Sequence, residues 1–308
     1  MKKEPIEVKM IEWFDSHFYK IKYLDEAKIE CEDYIPSVTT KLGALSKPNL
    51  IRWYGDLGTR EAELRKNEAA NYGMSVHWAW YAITTGGAVI YQPPRGPLYS
   101  PDEMAELHKK FKGHYRIMYS QDEMWDVMKL QELLKRLKPE ILMSEYIVFD
   151  LENKDAGTVD NIFHIKAGTY EINGKTPLKL EEGNYIHDLK TGNYLGKESK
   201  MQVATYAKCA EKTTDLEIKG ALITHTKSKN RNGIEGLGVT LMTREDIEQE
   251  YKDYRDIAAV WDRNFASMKP KVRQIPAIIT MESLENEQEA PKADGTSKKS
   301  PDAKAKHK

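Results

Sequence analysis

Asn184-Tyr185-Ile186-His187-Asp188-Leu189-Lys190-Thr191-Gly192 is the stretch on which the reading of this chain turns. Up to Lys190 it reads as a strand. Side chains in extended backbone alternate between two faces, so Asp188 and Lys190 project together while Leu189 turns the other way into a core. An acid two residues before a base means little alone. With 48 acidic and 47 basic residues in a chain of 308, chance supplies about seven such pairs. Glu7-x-Lys9, Glu26-x-Lys28, Glu152-x-Lys154, Glu198-x-Lys200 and Glu217-x-Lys219 are among them. What separates Asp188-x-Lys190 is its place in an apolar strand.

Working outward, residues 144–241 read mostly as strand. Segments 145–149, 158–165, 221–226 and 237–241 are rich in β-branched and aromatic residues, and Asn173-Gly174 suits a hairpin turn before 184–190. A helix over 200–211 interrupts them. Thr243-x-x-Asp246 caps a last helix whose stripe Ile247, Tyr251, Tyr254, Ala258, Trp261, Phe265 has the spacing of a buried face. Gly233-x-x-Gly236-x-Gly238 precedes a strand rather than a helix, which favours a hairpin turn over a phosphate loop; no nucleotide cofactor is expected.

Ahead of this core, residues 1–36 read as a β-hairpin region, with strands over 19–24 and 28–32 around a turn at Asp25-Glu26. Residues 37–143 read as helical and carry His77. Ser37 or Thr39 caps a short helix, Pro48 opens a second, and Gly58-Thr59 starts a long third reaching about Thr85. Residues 86–99 read as a loop. Ser100-Pro101-Asp102-Glu103 and Ser120-x-x-Glu123 are capping boxes. The expectation is an α/β fold: a mixed central sheet flanked by helices over 144–279, preceded by a large helical region.

Composition narrows the function. A net charge of -1 excludes the wholesale basic excess of a protein that coats nucleic acid, so a polyanion would have to be held in a local groove or through metal ions. No apolar run approaches the roughly 20 residues of a membrane helix, and the first residues lack a signal peptide's apolar centre. Only Cys31 and Cys209 are present, which rules out a disulfide framework, a Cys-ligated zinc site and a four-cysteine iron–sulfur cluster. A cytoplasmic protein with no membrane partner is expected. Residues 280–308, with six lysines against Asp294 and Asp302 from 292 onward, read as a disordered Lys-rich tail.

Four motifs occur in order: Gly73-Met74-Ser75-Val76-His77 on a helix, Gly157-Thr158-Val159-Asp160 entering a strand, Asp188-Leu189-Lys190-Thr191-Gly192, and Gln202-x-x-x-Tyr206, whose polar tips share a helix face. Together they resemble the PD-(D/E)XK nuclease superfamily and, within it, the RecB-like exonuclease branch, over about residues 37–245. The resemblance implies a restriction-endonuclease-like core and metal-dependent hydrolysis of DNA at ends or in single strands, in recombination, repair or phage DNA metabolism. It implies Mg²⁺ or Mn²⁺ on Asp160, Asp188, the Leu189 carbonyl and His77, with Glu145 as an auxiliary acid. Lys190 would orient or help deprotonate the water, and Gln202 and Tyr206 would hydrogen-bond DNA or Lys190. Partners would be DNA, single-stranded or at duplex ends, and a single-strand-binding or annealing protein, in a bacterial cell or phage-infected host.

The residues also admit plainer roles. His77, amid Val76, Trp78 and Trp80, fits a partly buried structural histidine, whereas Asp160 among Val159, Ile162 and Phe163 would be costly to bury unpaired. A fold-retaining scaffold without catalysis is the competing class. The helical segment from Pro48 to Pro139 is long for packing alone, and a wall or arch that admits a single strand is its functional reading.

Overall fold

A computed structural model describes residues 5–270 apart from 14–15, 26, 94, 97–98, 175 and 193–194. The expected tail over 280–308 and part of the Asp25-Glu26 turn lie outside the described residues.

Five strands form the central sheet: β6 (Glu140–Asp150), β7 (Asp155–Ile165), β10 (Gly183–Lys190), β11 (Ile218–His225) and β12 (Gly238–Met242). Their order is β12-β11-β10-β7-β6. β10 and β11 run parallel and every other neighbour antiparallel, so the sheet is mixed. The parallel pair requires a crossover, supplied by α6 (Lys197–Thr214). Between β7 and β10 the chain inserts a hairpin of β8 (Gly168–Tyr170) and β9 (Leu178–Leu180), with Gly174 at φ 79°. That insertion accounts for the 28 positions separating Asp160 from Asp188.

Helices cover both faces. On one, α6 and α7 (Arg244–Phe265) pack Val203, Ala207, Ile247, Tyr254 and Ala258 onto Ile186, Ala221 and Ile223. Thr243 and Asp246 cap α7 reciprocally, and Ile247, Tyr254, Ala258 and Trp261 are buried as their spacing predicts; Phe265, in the last turn, is exposed. On the other face, α3 (Thr59–Thr84) and α5 (Gln121–Leu137) pack Val76, Trp80, Leu130 and Leu133 onto Phe163, Leu189 and Leu222. The chain is therefore α/β, with a mixed central sheet flanked by helices.

The helical region departs from expectation in two places, and a third feature accords with its length. Residues 86–99 are not wholly loop, because β4 (Ala88–Tyr91) pairs in parallel with β5 (Tyr115–Met118) on either side of α4 (Pro101–Lys110). Only half of the second capping box forms. Ser120 accepts from the Glu123 N–H, but the Glu123 carboxylate accepts from Ser75 instead. Finally, α2 (Pro48–Leu57) buries no residue, and over 59–71 of α3 only Ala62 is buried, so this stretch stands off the sheet. No helix among the described residues is long and apolar enough to cross a membrane.

The amino-terminal region is a three-stranded antiparallel sheet rather than a hairpin, because β1 (Pro5–Trp13) precedes β2 (Ser16–Leu24) and β3 (Glu30–Pro36). It packs Tyr19, Ile21, Tyr23 and Ile35 against Phe149 and Ala156. A buried ion pair fixes the junction below it. Lys41, on α1 (Val38–Leu42), donates to Asp155 Oδ1 at 2.8 Å, and the same carboxylate accepts from Tyr254 at 2.7 Å and Arg255 at 2.9 Å.

Candidate metal centre

Asp160 and Asp188 meet where β7 and β10 part. The antiparallel ladder ends at His187–Asn161, and one step further the facing residues would be Asp188 and Asp160. There a side chain takes over from the backbone: Leu189 donates its N–H to Asp160 Oδ2 at 2.6 Å. Asp188 and Lys190 do share a face, and Leu189 is fully buried on the other, among the residues beneath α3 and α5.

Lys190 Nζ lies 2.8 Å from Asp188 Oδ2 and donates to Gln202 Oε1 at 3.0 Å. Gln202 passes its own N–H to the Tyr206 hydroxyl at 2.8 Å. The chain Asp188, Lys190, Gln202, Tyr206 thus runs from β10 onto α6. Gly157 makes room for its end, since a Cβ there would sit 2.1 Å from the Tyr206 ring.

His77 arrives from α3, its Nδ1 3.2 Å from Asp160 Oδ1. Two features of α3 bring it there. Gly73, one turn earlier, lies so near β10 that a Cβ would meet Thr191 Oγ1 at 3.0 Å. Trp80, three residues later, is fully buried and donates its indole N–H to Asn161 Oδ1 at 2.5 Å. Asn161 donates onward to Ser144 at 2.8 Å, and Ser144 to Thr84 at 3.1 Å. His187 contacts the same Asn161 oxygen with Nδ1 and Thr224 with Nε2. An acceptor at Nδ1 assigns the proton there and leaves Nε2 to accept from the Thr224 hydroxyl. Burial pushes His187 down to about 4, in keeping with that neutral ring.

Glu145 completes a trio. Ser144 pairs with Asn161 and Tyr146 with Val159, which places Glu145 across from Asp160. Its φ of 48° lies in the left-handed region, at a cost of roughly 1–2 kcal/mol. His77, Glu145 and Asp160 present ligand atoms all within 4.8 Å of one another. Asp188 is outside that trio and joins it through Lys190 and through its charge on Asp160.

The electrostatics leave the cluster short of positive charge. Burial raises Asp160, but the His77 charge and hydrogen bond, Lys190 and the Leu189 N–H outweigh it and hold the carboxyl below its ordinary range. Asp188 is raised, burial and Asp160 prevailing over Lys190. Glu145 keeps an exposed flank, yet desolvation of its carboxyl and the Asp160 charge push it up to about 7. Burial lowers His77, but Asp160 and Asp188 lift it to about 9. Lys190 follows the same logic: desolvation pulls it down, and Asp188 and Asp160 carry it above its ordinary value.

Three carboxyls therefore face two cations, and buried Asp188 Oδ2 has only its ion-pair contact with Lys190 and no aligned hydrogen bond. A mostly oxygen donor set with one imidazole, His77 with Glu145 and Asp160, fits a hard divalent cation such as Mg²⁺ or Mn²⁺.

Several contributors carry no sequence signal. Buried Tyr19 crosses from the amino-terminal sheet to Thr158 at 2.9 Å, beside Glu145 and Tyr206. Asp126 on α5 accepts from Tyr72 and Thr226, while the Thr226 N–H holds the Lys190 carbonyl at 3.1 Å. Each depends on register or tertiary packing that no local pattern encodes. No protein-family model matches this chain, and no curated protein matches it.

Proposed function

We propose that this protein is a metal-dependent deoxyribonuclease built on a restriction-endonuclease-like core, acting as an exonuclease on DNA ends or single strands. The observation that carries the proposal is the junction of β7 and β10, where Asp160, Asp188 and Lys190 converge with His77 from one helical layer and Gln202–Tyr206 from the other. A scaffold has no need of a half-buried lysine aimed, between Asp188 and Gln202, at the same junction as His77 and Asp160.

Asp160, Asp188, the Leu189 carbonyl and His77 would hold Mg²⁺ or Mn²⁺, with Glu145 as a further acid. The bound ion supplies charge against the phosphate oxygens and acidifies a water. Lys190 is positioned by Asp188 and Gln202 to orient that water and to offset charge developing on the phosphoryl group. Its raised pKa keeps it an ammonium, which suits orientation and charge compensation rather than proton abstraction. Tyr206 fixes Gln202, and Gln202 fixes Lys190. The exposed arm formed by α2 and the first half of α3 supports a wall beside the site, which would favour free ends over closed duplex.

Incubating end-labelled linear DNA and covalently closed circles with Mg²⁺, Mn²⁺ or EDTA tests the proposal. Metal-dependent release of labelled nucleotides from linear DNA alone is the expected result. Cleavage of circles would make the protein an endonuclease, and no cleavage of either form would leave a DNA-binding scaffold.

A further inference from the structure

α3 is packed by one side only. Val76, Ala79, Trp80 and Ile83 face the sheet and α5, while Met74, Trp78 and Tyr81 at i, i+4 and i+7 are 55%, 58% and 43% exposed. With a rise of 1.5 Å per residue, this stripe runs along about 10 Å of helix. It begins beside Gly73, where α3 meets Thr191, and passes immediately beside His77. Single exposed apolar residues are ordinary; a row of three bordering a cluster of acidic and basic groups is not.

Charge accompanies the row. The Arg116 guanidinium, on β5, lies 5.2 Å from the centre of the Trp78 ring. No carboxylate pairs with Arg116 among the described residues, and its Nε is buried without a hydrogen-bond partner. The indole, rather than an acid, therefore holds this cation in place, through the ring's negative face. An ammonium or guanidinium neutralised by a carboxylate has little left for a phosphate. Arg116 is not neutralised in that way.

An aromatic face with an uncompensated cation against it is the combination that binds single-stranded nucleic acid, in which bases stack on rings and phosphates meet positive charge. Paired duplex bases present no free face to such a row. Resting on the deoxyribonuclease reading of the neighbouring centre, we infer that Met74, Trp78 and Tyr81, with Arg116, form a stacking platform that holds bases of a single DNA strand next to the metal centre. The platform would set a preference for unpaired DNA before any bond is cut.

The test is binding without cleavage. Fluorescence anisotropy of a dye-labelled oligothymidylate, and of a closed hairpin duplex of the same length, is measured in EDTA for the wild-type chain, Trp78→Ala, Trp78→Phe and Tyr81→Ala. Loss of one base-stacking contact should weaken single-strand binding by roughly 5- to 150-fold in Trp78→Ala. Trp78→Phe should retain most of the affinity and Tyr81→Ala should fall between; hairpin binding should stay unchanged in all three. Because these side chains are exposed, their thermal unfolding should match wild type, which separates lost binding from lost folding. Equal weakening toward both DNAs, or unchanged binding of the single strand, would overturn the platform. So would a shift from dimer to monomer in Trp78→Ala by light scattering, since the stripe would then be a protein interface. Cleavage by wild type with Mn²⁺ is scored separately. Trp78-dependent binding without any cleavage keeps the platform and removes the nuclease, and cleavage without Trp78 dependence does the reverse.

Discussion

Replacing Gly157 with alanine probes the link between strand β7 and the Lys190 chain. The φ of Gly157 lies outside the left-handed region, so alanine suits the backbone and only the new methyl group matters. That methyl would sit 2.1, 2.8 and 2.9 Å from three atoms of the Tyr206 ring. Carbon atoms settle at about 3.5–4.0 Å, so the nearest ring atom must retreat by roughly 1.4 Å. Tyr206 is buried, and moving it pulls its hydroxyl from the 2.8 Å bond with Gln202 and frees Gln202 from Lys190. Misplacing a positioning group by about 1 Å costs on the order of 100-fold in rate, and overpacking costs about 1–3 kcal/mol in stability. Gly157→Ala should therefore lose roughly 100-fold in turnover on saturating end-labelled DNA and unfold at lower urea, with Mn²⁺ affinity retained. Gly157→Ala with Tyr206→Leu, which shortens the obstructing side chain, should recover stability but not turnover. Wild-type turnover together with an unchanged urea midpoint in the single variant would refute the linkage.

Lys190→Ala should abolish cleavage while Mn²⁺ binding persists in titration calorimetry, because the ammonium acts on developing charge, whereas Asp188→Ala should lose metal binding as well; equal loss of affinity in both would contradict this division. Lys41→Met leaves Asp155 with Tyr254 and the Arg255 cation, so it should cost less than the roughly 3–5 kcal/mol of a buried charge left without a partner but more than about 1 kcal/mol in urea unfolding; a change under about 1 kcal/mol would show that the pair behaves as a solvated one. Burial raises Tyr251 to about 12, and burial and Asp155 raise Tyr254 well above its ordinary value, so below pH 10 their contribution to stability is complete. Above pH 10 the unfolded chain releases phenolic protons that the folded chain keeps, and stability should fall as pH rises toward 12. Tyr254→Phe should make that alkaline fall shallower in melts followed by circular dichroism, and an identical slope would remove Tyr254 from the account.

Most of the sheet was legible because its strands carry local signals. The β-branched runs of β7, β10 and β11 bury most of their apolar side chains, and four of the six residues in the α7 stripe, Ile247, Tyr254, Ala258 and Trp261, are buried. What escaped did so for two reasons. β4 is a four-residue strand within a stretch rich in glycine and proline, and its partner β5 lies beyond α4. β1 is a different case: Ile6, Val8 and Met10 alternate with Glu7 and Lys9, so its signal lay in the sequence although the strand buries little of either face. The site divides in the same way. Asp188-x-Lys190 and Gln202-x-x-x-Tyr206 are spacings within one element, whereas Tyr19 on Thr158 and Thr226 on Lys190 exist only once separate elements are packed.

His77 shows why a local signal can point two ways at once. Its neighbourhood of Val76, Trp78 and Trp80 fits a structural helix residue as well as a ligand, and the structural role falls to a different side chain of the same helix. Three residues on from His77, Trp80 turns inward by about one helical turn's spacing and takes the structural role. It fills the space over Phe163 and His187 and ends its indole N–H on Asn161. Asn161 is the residue after Asp160 on β7, so the bond that docks α3 is made one residue from the carboxylate that His77 meets. The docking of α3 and the His77–Asp160 contact are thereby tied to a single register between α3 and β7. Because Trp80 supplies the burial that stabilises the helix, His77 is left only part-buried, at the edge of the packed face, where its ring meets Asp160 without being needed to fill the core.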